Sequence, residues 1–295
     1  MERELCVLSP AKINLHLDIR ERRPDGYHEI ISLFHLIDLR DEMTIRPLPG
    51  KGRLNLTGNF DCPPEENLII RAARLFNRLL SRDLSWEFRV NKRIPSGAGL
   101  GGGSGNAAAA LKGLNALLGE PLSGEALLKG AETLGCDVPF FLSGPACLVT
   151  GRGEILEPLR PLPGAGGWEG ELVLAAPEPG VSTRAAYDLF DGAGQIREHL
   201  SPRAVREAYL NLAPRDWPFF NSFRGPLFPR YPALAAAESV FRRRGADFVS
   251  LSGSGSAVYG LFSCPAGAGE ALEELKGQFP VSWKIKLLAY PAGAY

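Results

Sequence analysis

The chain has 295 residues, of which 45% are hydrophobic and 22% charged, as in an ordinary globular protein long enough for one large or two medium domains. Basic and acidic residues number 33 each, so the net charge favours neither nucleic acid nor an anionic membrane as a partner. The five cysteines lack CxxC spacing, which predicts neither a disulfide framework nor a zinc site. No apolar run approaches the ~20 residues of a membrane span and the charged N-terminus lacks a signal-peptide core, so we expect a cytoplasmic protein.

The first predicted strand covers residues 13–19, where apolar and polar residues alternate. The apolar positions are expected to face a core. The opposite face carries Lys12, Asn14, His16 and Asp18. Polar residues on a strand face are usually solvated, and we expect this of His16 and Asp18.

A turn is predicted at residues 23–26, because the order Pro-Asp-Gly has turn chemistry. A second apolar strand follows over residues 27–37. Two short strands at 43–45 and 54–56 flank the glycine-containing segment 49–52, which predicts a hairpin.

A glycine-rich segment, residues 95–110, stands between a predicted strand at 86–90 and a helix that begins near 104–106. A further helix, at 68–79, precedes the strand. Glycines allow positive φ and close approach of the backbone to a ligand, and the N-terminus of the following helix favours an anion. The segment therefore predicts a phosphate-binding loop.

Other interpretations of the glycine loop are weaker. A flexible linker has no need of a flanking strand and helix. No Lys-Ser/Thr pair follows the glycines, so the P-loop consensus is absent. Gly97, Gly99 and Gly102 match GxGxxG, but no strand precedes Glu120, the acidic residue at the required spacing, which disfavours a dinucleotide site.

After the loop helix, a second helix is predicted at 124–134. Asp137 follows this helix and precedes a Pro-Phe-Phe run. At such an element boundary a carboxylate is partly buried or caps a turn. The Pro- and Gly-rich segment 161–170 predicts a linker and two domains, 1–163 and 164–295. Strands at 172–175 and 281–287, a strand–turn–strand at 248–259 and a helix at 268–279 complete the chain. The succession of strands and helices favours an α+β fold.

Three segments resemble the motifs of the GHMP kinases, a superfamily of small-molecule kinases: SPAKINL at 9–15, PSGAGLGGGSGNAA at 95–108 and SGSGSAVY at 252–259. The resemblance implies a two-domain fold with a mixed-sheet N-terminal domain of the ribosomal S5 domain 2-like type and a ferredoxin-like C-terminal α/β sandwich. Gly105 departs from the usual serine, and Ser256-Ala257 stand where Pro-Thr is common. Ser222 and Arg224 depart from a family segment that usually reads N-D-F-E.

The resemblance also implies an ATP-dependent kinase that uses Mg²⁺. Asp137, in GCDVPFF, corresponds to the proposed catalytic aspartate, and Lys12 would keep it ionised or steady the developing charge. Ser104 remains as a hydroxyl for phosphate or Mg²⁺, and no other metal ligand is assigned. The residues implied to bind ATP are Pro95, Gly97, Ala98, Gly99, Leu100, Gly101, Gly102, Gly103, Ser104, Gly105, Asn106 and Ala107.

Two more segments, RPDGYH at 23–28 and PGVSTRAAY at 179–187, resemble the branch of the family that phosphorylates the 2-hydroxyl of a cytidine-diphosphate-linked methylerythritol in non-mevalonate isoprenoid biosynthesis. The implied substrate contacts are made by Asn14, Tyr27, His28, Thr183 and Tyr187. Tyr27 could stack on the pyrimidine and His28 could hydrogen-bond its edge. From the residues alone, structural roles stay open for four of them. Tyr27 could be a turn residue, His28 and Thr183 could be caps, and Tyr187 could be a core residue.

Two other functions stay open: a GHMP kinase for another alcohol, such as homoserine or a sugar, and a nucleotide sensor that kept the fold and lost transfer. The presence of Lys12 and Asp137 disfavours the sensor. A nucleic-acid binder is disfavoured because the basic run 242–244 is more typical of a solvated helix end. We expect a monomer or homodimer with a small-molecule substrate.

Overall fold

The structure, a computed structural model, describes residues 4–160, 168, 170–178, 180–193, 199–279 and 282–288. It contains two compact units. Unit 1 comprises the described residues up to Ala11 with Leu39–Ser96 and Gly101–Gly144; unit 2 comprises Lys12–Asp38, Gly97–Leu100 and the described residues from Pro145 onward. Strands β1 (Leu5–Arg22) and β2 (His28–Leu48) are long enough to contribute residues to both units. The predicted domain boundary at 163 lies outside the described residues.

Unit 1 contains a mixed sheet. Strand β4 (Ser85–Asn91) pairs antiparallel with β2 and parallel with β3 (Leu54–Thr57). The predicted hairpin at 49–52 is therefore wrong, because β4 separates β3 from β2. The chain leaves β3 through helix α1 (Leu68–Leu79) and returns as its parallel neighbour, which is the crossover that parallel strands require.

The helices of unit 1 follow the expected pattern. Asn67 caps α1 by accepting from the Ile69 N–H at 2.9 Å. Helix α2 (Gly102–Leu117) begins earlier than the predicted 104–106 and packs on α1. Its small residues allow close approach, since a Cβ on Gly113 would lie 2.4 Å from the Ile45 side chain. Helices α3 (Gly124–Glu132) and α4 (Phe140–Ser143) complete the unit.

In unit 2, β2 pairs antiparallel with β5 (Ala146–Thr150), and β5 pairs with β6 (Ile155–Pro158). The expected solvation of His16 and Asp18 is wrong, because their side chains are 0% and 1% exposed. Residues 219–222 run along β1, with Leu17 donating its N–H to the Phe220 carbonyl at 2.8 Å. Phe219 and Phe220 of this segment contact the His16 ring, and Asp18 Oδ1 lies 2.8 Å from His199 Nδ1.

The second sheet of unit 2 has the order β10-β7-β9-β8, with every pair antiparallel. Its strands are β7 (Glu171–Ala175), β8 (Phe248–Leu251), β9 (Val258–Phe262) and β10 (Ser282–Ile285). Because helices precede β8 and β10, the β-α-β-β-α-β order and this arrangement are those of a ferredoxin-like fold, as expected. The predicted last strand at 281–287 is shorter, and Val281 lies outside the described residues.

Helices of unit 2 pack against this sheet and bury an apolar core. Helices α8 (Pro232–Arg243) and α9 (Pro265–Lys276) contact β9, and Phe241 and Phe262 are fully buried. The basic run 242–244 is a solvated helix end, as predicted: Arg243 and Arg244 both pair with Glu274. The remaining helices are α5 (Thr183–Gly192), α6 (Pro202–Asn211) and α7 (Arg224–Leu227).

Within the described part of the chain, every helix is too short or too polar to cross a membrane. All five cysteines carry free thiols, and burial raises the pKa of Cys147 to about 12.

Candidate active site

The glycine loop joins β4 to α2 and has a backbone that few other residues could adopt. Gly97, Gly99 and Gly101 have φ values of 67°, 77° and 67°, in the left-handed region that favours glycine. Gly101 is the N-cap of α2, and its position gives that helix no side-chain cap. The N–H groups of the first turn are therefore available to an anion.

The centre of the loop packs against a glycine turn at residues 252–256, within unit 2. The Ala257 N–H donates to the Ala98 carbonyl at 3.1 Å, and the Ser252 hydroxyl donates to the Gly99 carbonyl at 2.9 Å. A Cβ on Gly99 would lie only 2.1 Å from the Ser252 carbonyl oxygen. The 252–257 segment therefore supports the centre of the glycine loop.

Asn221 holds the glycine turn in place. Its buried amide donates to the carbonyls of Leu251 and Gly253 at 2.8 and 2.9 Å. The next residue, Ser222, accepts from the Ile19 N–H of β1 at 3.0 Å. The segment that departs from the family pattern therefore has a structural role in this chain.

The flanks of the loop are held in unit 1 by four polar side chains, here called the Asp41 cluster: Ser9, Asp41, Lys92 and Asn106. Asn106 donates to Ser9 and to Asp41, each at 2.9 Å, and accepts from Lys92 at 3.0 Å. ATP binding by Asn106 stays a prediction; in the structure its amide is buried and bonds to protein groups through both its oxygen and its nitrogen.

Lys12 is buried at the point where the loop meets β1 in unit 2. Its N–H donates to the Leu100 carbonyl at 2.9 Å. Its ammonium donates to Asn14 Oδ1 at 2.8 Å and lies 4.6 Å from the centre of the Phe34 ring. Asn14 in turn donates to the Ser32 hydroxyl at 3.0 Å, so its amide orients Lys12.

Asp137 lies in the turn that connects α3 to α4 in unit 1. Its side chain is half-buried, which agrees with its expected place at an element boundary. The turn is closed by a hydrogen bond from the Val138 N–H to the Gly135 carbonyl, 3.2 Å long, and Phe140 and Phe141 bury the segment that follows.

Two of the predicted substrate residues meet in unit 2. The rings of His28 and Tyr187 are stacked, with centroids 5.1 Å apart and 20° between planes, and Phe223 contacts Tyr187 edge-on at 5.0 Å. His28 Nε2 lies 2.9 Å from Asp191 Oδ1. Asp191 is a partner that the sequence motif did not identify.

Tyr27 and Thr183 lie at other positions of unit 2. The turn at 23–26 presents Tyr27 with its side chain largely exposed and the Arg152 guanidinium 5.0 Å from its ring centre. The helix cap is Ser182, which accepts from the Ala185 N–H, and this leaves the Thr183 hydroxyl 3.2 Å from that of Ser254.

Two buried histidines of unit 2 lie outside these clusters. Burial lowers the pKa of His16 to about 3 and that of His35 to about 4. His16 Nδ1 accepts from the Phe220 N–H, and His35 Nε2 lies 3.1 Å from the Tyr209 hydroxyl. Both rings are neutral at neutral pH.

Comparison with known proteins identifies the family. Residues 67–145 match the model of the GHMP kinases N-terminal domain and residues 204–281 that of the GHMP kinases C-terminal domain. A 4-diphosphocytidyl-2-C-methyl-D-erythritol kinase of Salinibacter ruber is 39% identical over 91% of this chain and 93% of its own. The chain belongs to this family of GHMP kinases. It is therefore an ATP-dependent small-molecule kinase.

Solved structures agree with this assignment. A crystal structure of 4-(cytidine 5'-diphospho)-2C-methyl-D-erythritol kinase is 35% identical, with a TM-score of 0.82 over 97% of this chain and all of that one. A homoserine kinase from Cytophaga hutchinsonii has a TM-score of 0.70 over 98% of each chain at 18% identity, which shows the shared fold alone.

The departure from the GHMP pattern at Gly105 has a local cause. A Cβ at this position would lie 2.8 Å from the Pro10 carbonyl and 3.0 Å from the Ser9 hydroxyl. A serine would therefore push α2 away from β1 in this chain. Ser104, half-buried in the first turn of α2, keeps the hydroxyl of the motif.

Proposed function

We propose that this kinase transfers the γ-phosphate of ATP to the 2-hydroxyl of 4-diphosphocytidyl-2-C-methyl-D-erythritol, a step of non-mevalonate isoprenoid biosynthesis. The observation that carries the proposal is the 39% identity over 91% of the chain to a relative of that name. Segments 23–28 and 179–187 carry the sequence resemblance to the branch that uses this substrate. The structure describes both segments except Pro179.

The glycine loop would hold the triphosphate. Phosphoryl transfer depends on positioning and on charge stabilisation more than on covalent help from the protein. A loop with three glycines at positive φ and an uncapped helix N-terminus supplies backbone N–H groups without side chains in the way.

Mg²⁺ fits the chemistry of this loop. Magnesium keeps several waters and takes one or two protein oxygens besides the substrate phosphates, so it needs no dedicated cage. The hydroxyl of Ser104, in the first turn of α2, is a protein oxygen of the required kind. When bound, the ion would neutralise charge on the phosphate oxygens.

Asp137 would act as the general base and Lys12 would stabilise the reaction electrostatically. The 2-hydroxyl oxygen forms a bond to the γ-phosphorus, the bond from that phosphorus to the β-γ bridging oxygen breaks, and the hydroxyl proton passes to the Asp137 carboxylate. The buried ammonium of Lys12, oriented by Asn14, would steady the negative charge that develops in the transition state.

The cytosine would be recognised by aromatic rings and by His28. The exposed face of Tyr27 is suited to stacking, and Tyr187 offers a second ring. Asp191 accepts a hydrogen bond from His28 Nε2, and the imidazole tautomer that donates from Nε2 keeps Nδ1 as an acceptor. An acceptor complements the exocyclic amine of cytosine, which is a donor.

The test is ADP release by the purified protein with MgATP and the cytidine compound, beside homoserine, galactose and mevalonate. Turnover with the cytidine compound and with none of the other three alcohols supports the proposal. Turnover with another of the alcohols would leave a kinase and refute the substrate, and binding of ATP without any turnover would indicate a sensor. Asp137→Asn, purified in the same way, controls for contaminating ATPases.

Cytoplasmic location, and a monomeric or homodimeric state without nucleic-acid or membrane partners, complete the proposal. The zero net charge supports the absence of nucleic-acid and anionic-membrane partners. Sedimentation of the purified protein at several concentrations tests the oligomeric state.

A further inference from the structure

Asp41 of β2 is a buried carboxylate that contacts residues at both ends of the glycine loop. Its side chain is fully buried and accepts four hydrogen bonds, two on each oxygen. Oδ1 accepts from the backbone N–H groups of Arg93 and Ile94 at 2.7 and 2.9 Å, and Oδ2 accepts from Lys92 and Asn106. Burying a charge is costly unless it is paired and hydrogen-bonded, so this arrangement needs all four donors.

The donors come from both ends of the loop. Arg93 and Ile94 immediately precede Pro95, where the loop begins, and Asn106 lies in the first two turns of α2, where it ends. Lys92 strengthens the connection, because its ammonium bonds to both Asp41 and Asn106. One carboxylate on β2 therefore fixes the separation between the entrance and the exit of the loop.

We propose that Asp41 is a positioning residue for nucleotide binding, which holds the glycine loop in its binding conformation before ATP arrives. The inference rests on the proposed function only in taking the loop as the ATP site. If the loop is competent in a smaller fraction of molecules, the apparent affinity for ATP falls by that fraction. Loss of the cluster should therefore weaken ATP binding more than it slows the chemical step.

Three variants isolate this role. Asp41→Asn keeps an acceptor for the backbone N–H groups but turns a second donor towards Lys92 and Asn106. Asn106→Asp places two carboxylates in contact, because the Asn106 amide that it replaces donates a hydrogen bond to Asp41 at 2.9 Å. The double exchange, Asp41→Asn with Asn106→Asp, swaps the carboxylate and the amide. The carboxylate at position 106 can then accept from Lys92, from Ser9 and from the new amide at position 41.

Two measurements follow. Each single variant should raise the Kd for ATP by ~10-fold or more, with a smaller change in kcat, and the double exchange should recover it to within ~3-fold of wild type. Without nucleotide, the amides of residues 93–106 should exchange hydrogen faster in the single variants than in wild type or the double exchange.

A matched control is Glu238→Gln. Glu238 is a buried carboxylate held by Arg224 and Arg242, and it takes no part in the loop. Its substitution should lower the thermal midpoint without changing ATP affinity or loop exchange. Single variants of the Asp41 cluster that behave like Glu238→Gln would overturn the proposal, as would a double exchange no better than the single variants.

Failure of the inference can be told from failure of the proposed function. If the wild-type protein did not turn over the cytidine compound, the exchange of the loop amides without nucleotide would still report on Asp41. If turnover were confirmed and the loop amides exchanged equally in all variants, the substrate would stand and Asp41 would have no positioning role.

Discussion

The glycine loop and the histidine-bearing parts of β1 and β2 fix their groups by different means. The loop is shaped through its backbone. Its glycines have positive φ, its carbonyls accept from the Ala257 N–H and the Ser252 hydroxyl, and a carboxylate accepts from main-chain N–H groups before it. The histidine region, here His16, His28 and His35, is shaped by side chains, with imidazoles that contact aromatic rings and polar groups.

The difference predicts what each region is sensitive to. A backbone-built site tolerates no added atom where two main chains touch, because the chain cannot rotate away as a side chain can. Within the histidine region, His16 and His35, whose pKa values burial lowers, are instead sensitive to protonation. Steric substitutions should therefore disable the loop, and acid should destabilise the histidine region.

The largest effect is expected at the two residues that we propose to act on the reacting groups. Asp137→Asn removes the proposed base and Lys12→Ala removes the fixed charge, so each should lower kcat by ~10²-fold or more. Both variants should stay folded and keep their affinity for ATP, because the loop and its supports are unchanged. Steady-state kinetics and nucleotide titration test this, and wild-type turnover in either variant would remove that residue from the mechanism.

The next largest effect is expected at Gly99. Gly99→Ala places a Cβ 2.1 Å from the Ser252 carbonyl, which forces the loop off the glycine turn and should lower kcat/KM by ~10²-fold. Gly119, with φ of 78° and no atom within 4 Å of an added Cβ, is a matched control outside the site. Gly119→Ala carries the same backbone strain and should leave turnover unchanged. Equal losses in both variants would show that strain, and not the contact with Ser252, is responsible.

Acid should act on the histidine region. The folded-state pKa values of His16 and His35, about 3 and 4, lie below the unfolded value of 6.5. The unfolded chain therefore binds more protons, and stability falls as the pH drops below about 6.5. Between pH 7 and pH 5 the free energy of unfolding should fall by ~2 kcal/mol for each histidine.

Urea unfolding at the two pH values measures this loss. His16→Gln keeps an acceptor for the Phe220 N–H but does not titrate. The free energy of unfolding of this variant should therefore fall by ~2 kcal/mol less between pH 7 and pH 5 than that of the wild type. An unchanged pH dependence in the variant would contradict the burial of a neutral His16.

The same contrast explains how far the sequence could be read. Glycine spacing predicted the loop and its helix, because positive φ and an open helix N-terminus are local properties of the chain. The alternation in β1 predicted the strand but not the burial of His16 and Asp18, because the residues that contact them, Phe219, Phe220 and His199, are about two hundred positions away. The hairpin failed because the true neighbour of β3 comes only after a helix.

Supporting side chains were missed for a related reason. Asp41 and Asp191 are single carboxylates in sequences that allow many other roles, and their partners become neighbours only when the chain folds. Asn14 and Asn106 were found as motif residues, but the sequence could not show that their amides are engaged by Lys12 and Asp41.

The smallest effect is expected at Asp191. Asp191→Asn replaces the carboxylate that accepts from His28 Nε2 with an uncharged amide oxygen, which accepts more weakly, so the imidazole is held less firmly with Nδ1 as the acceptor. The KM for the cytidine compound should rise by ~10-fold, the scale of one hydrogen bond of about 1.4 kcal/mol, while the KM for ATP stays unchanged.

Asp188→Asn offers a matched control for this change, since Asp188 is an exposed aspartate on the same helix, α5. It should leave both KM values at the wild-type level. A rise in the KM for ATP with Asp191→Asn would show that the change spreads beyond the His28 pocket. An unchanged KM for the cytidine compound would mean that His28 needs no fixed tautomer, and stacking on Tyr27 and Tyr187 would then have to supply the recognition of cytosine.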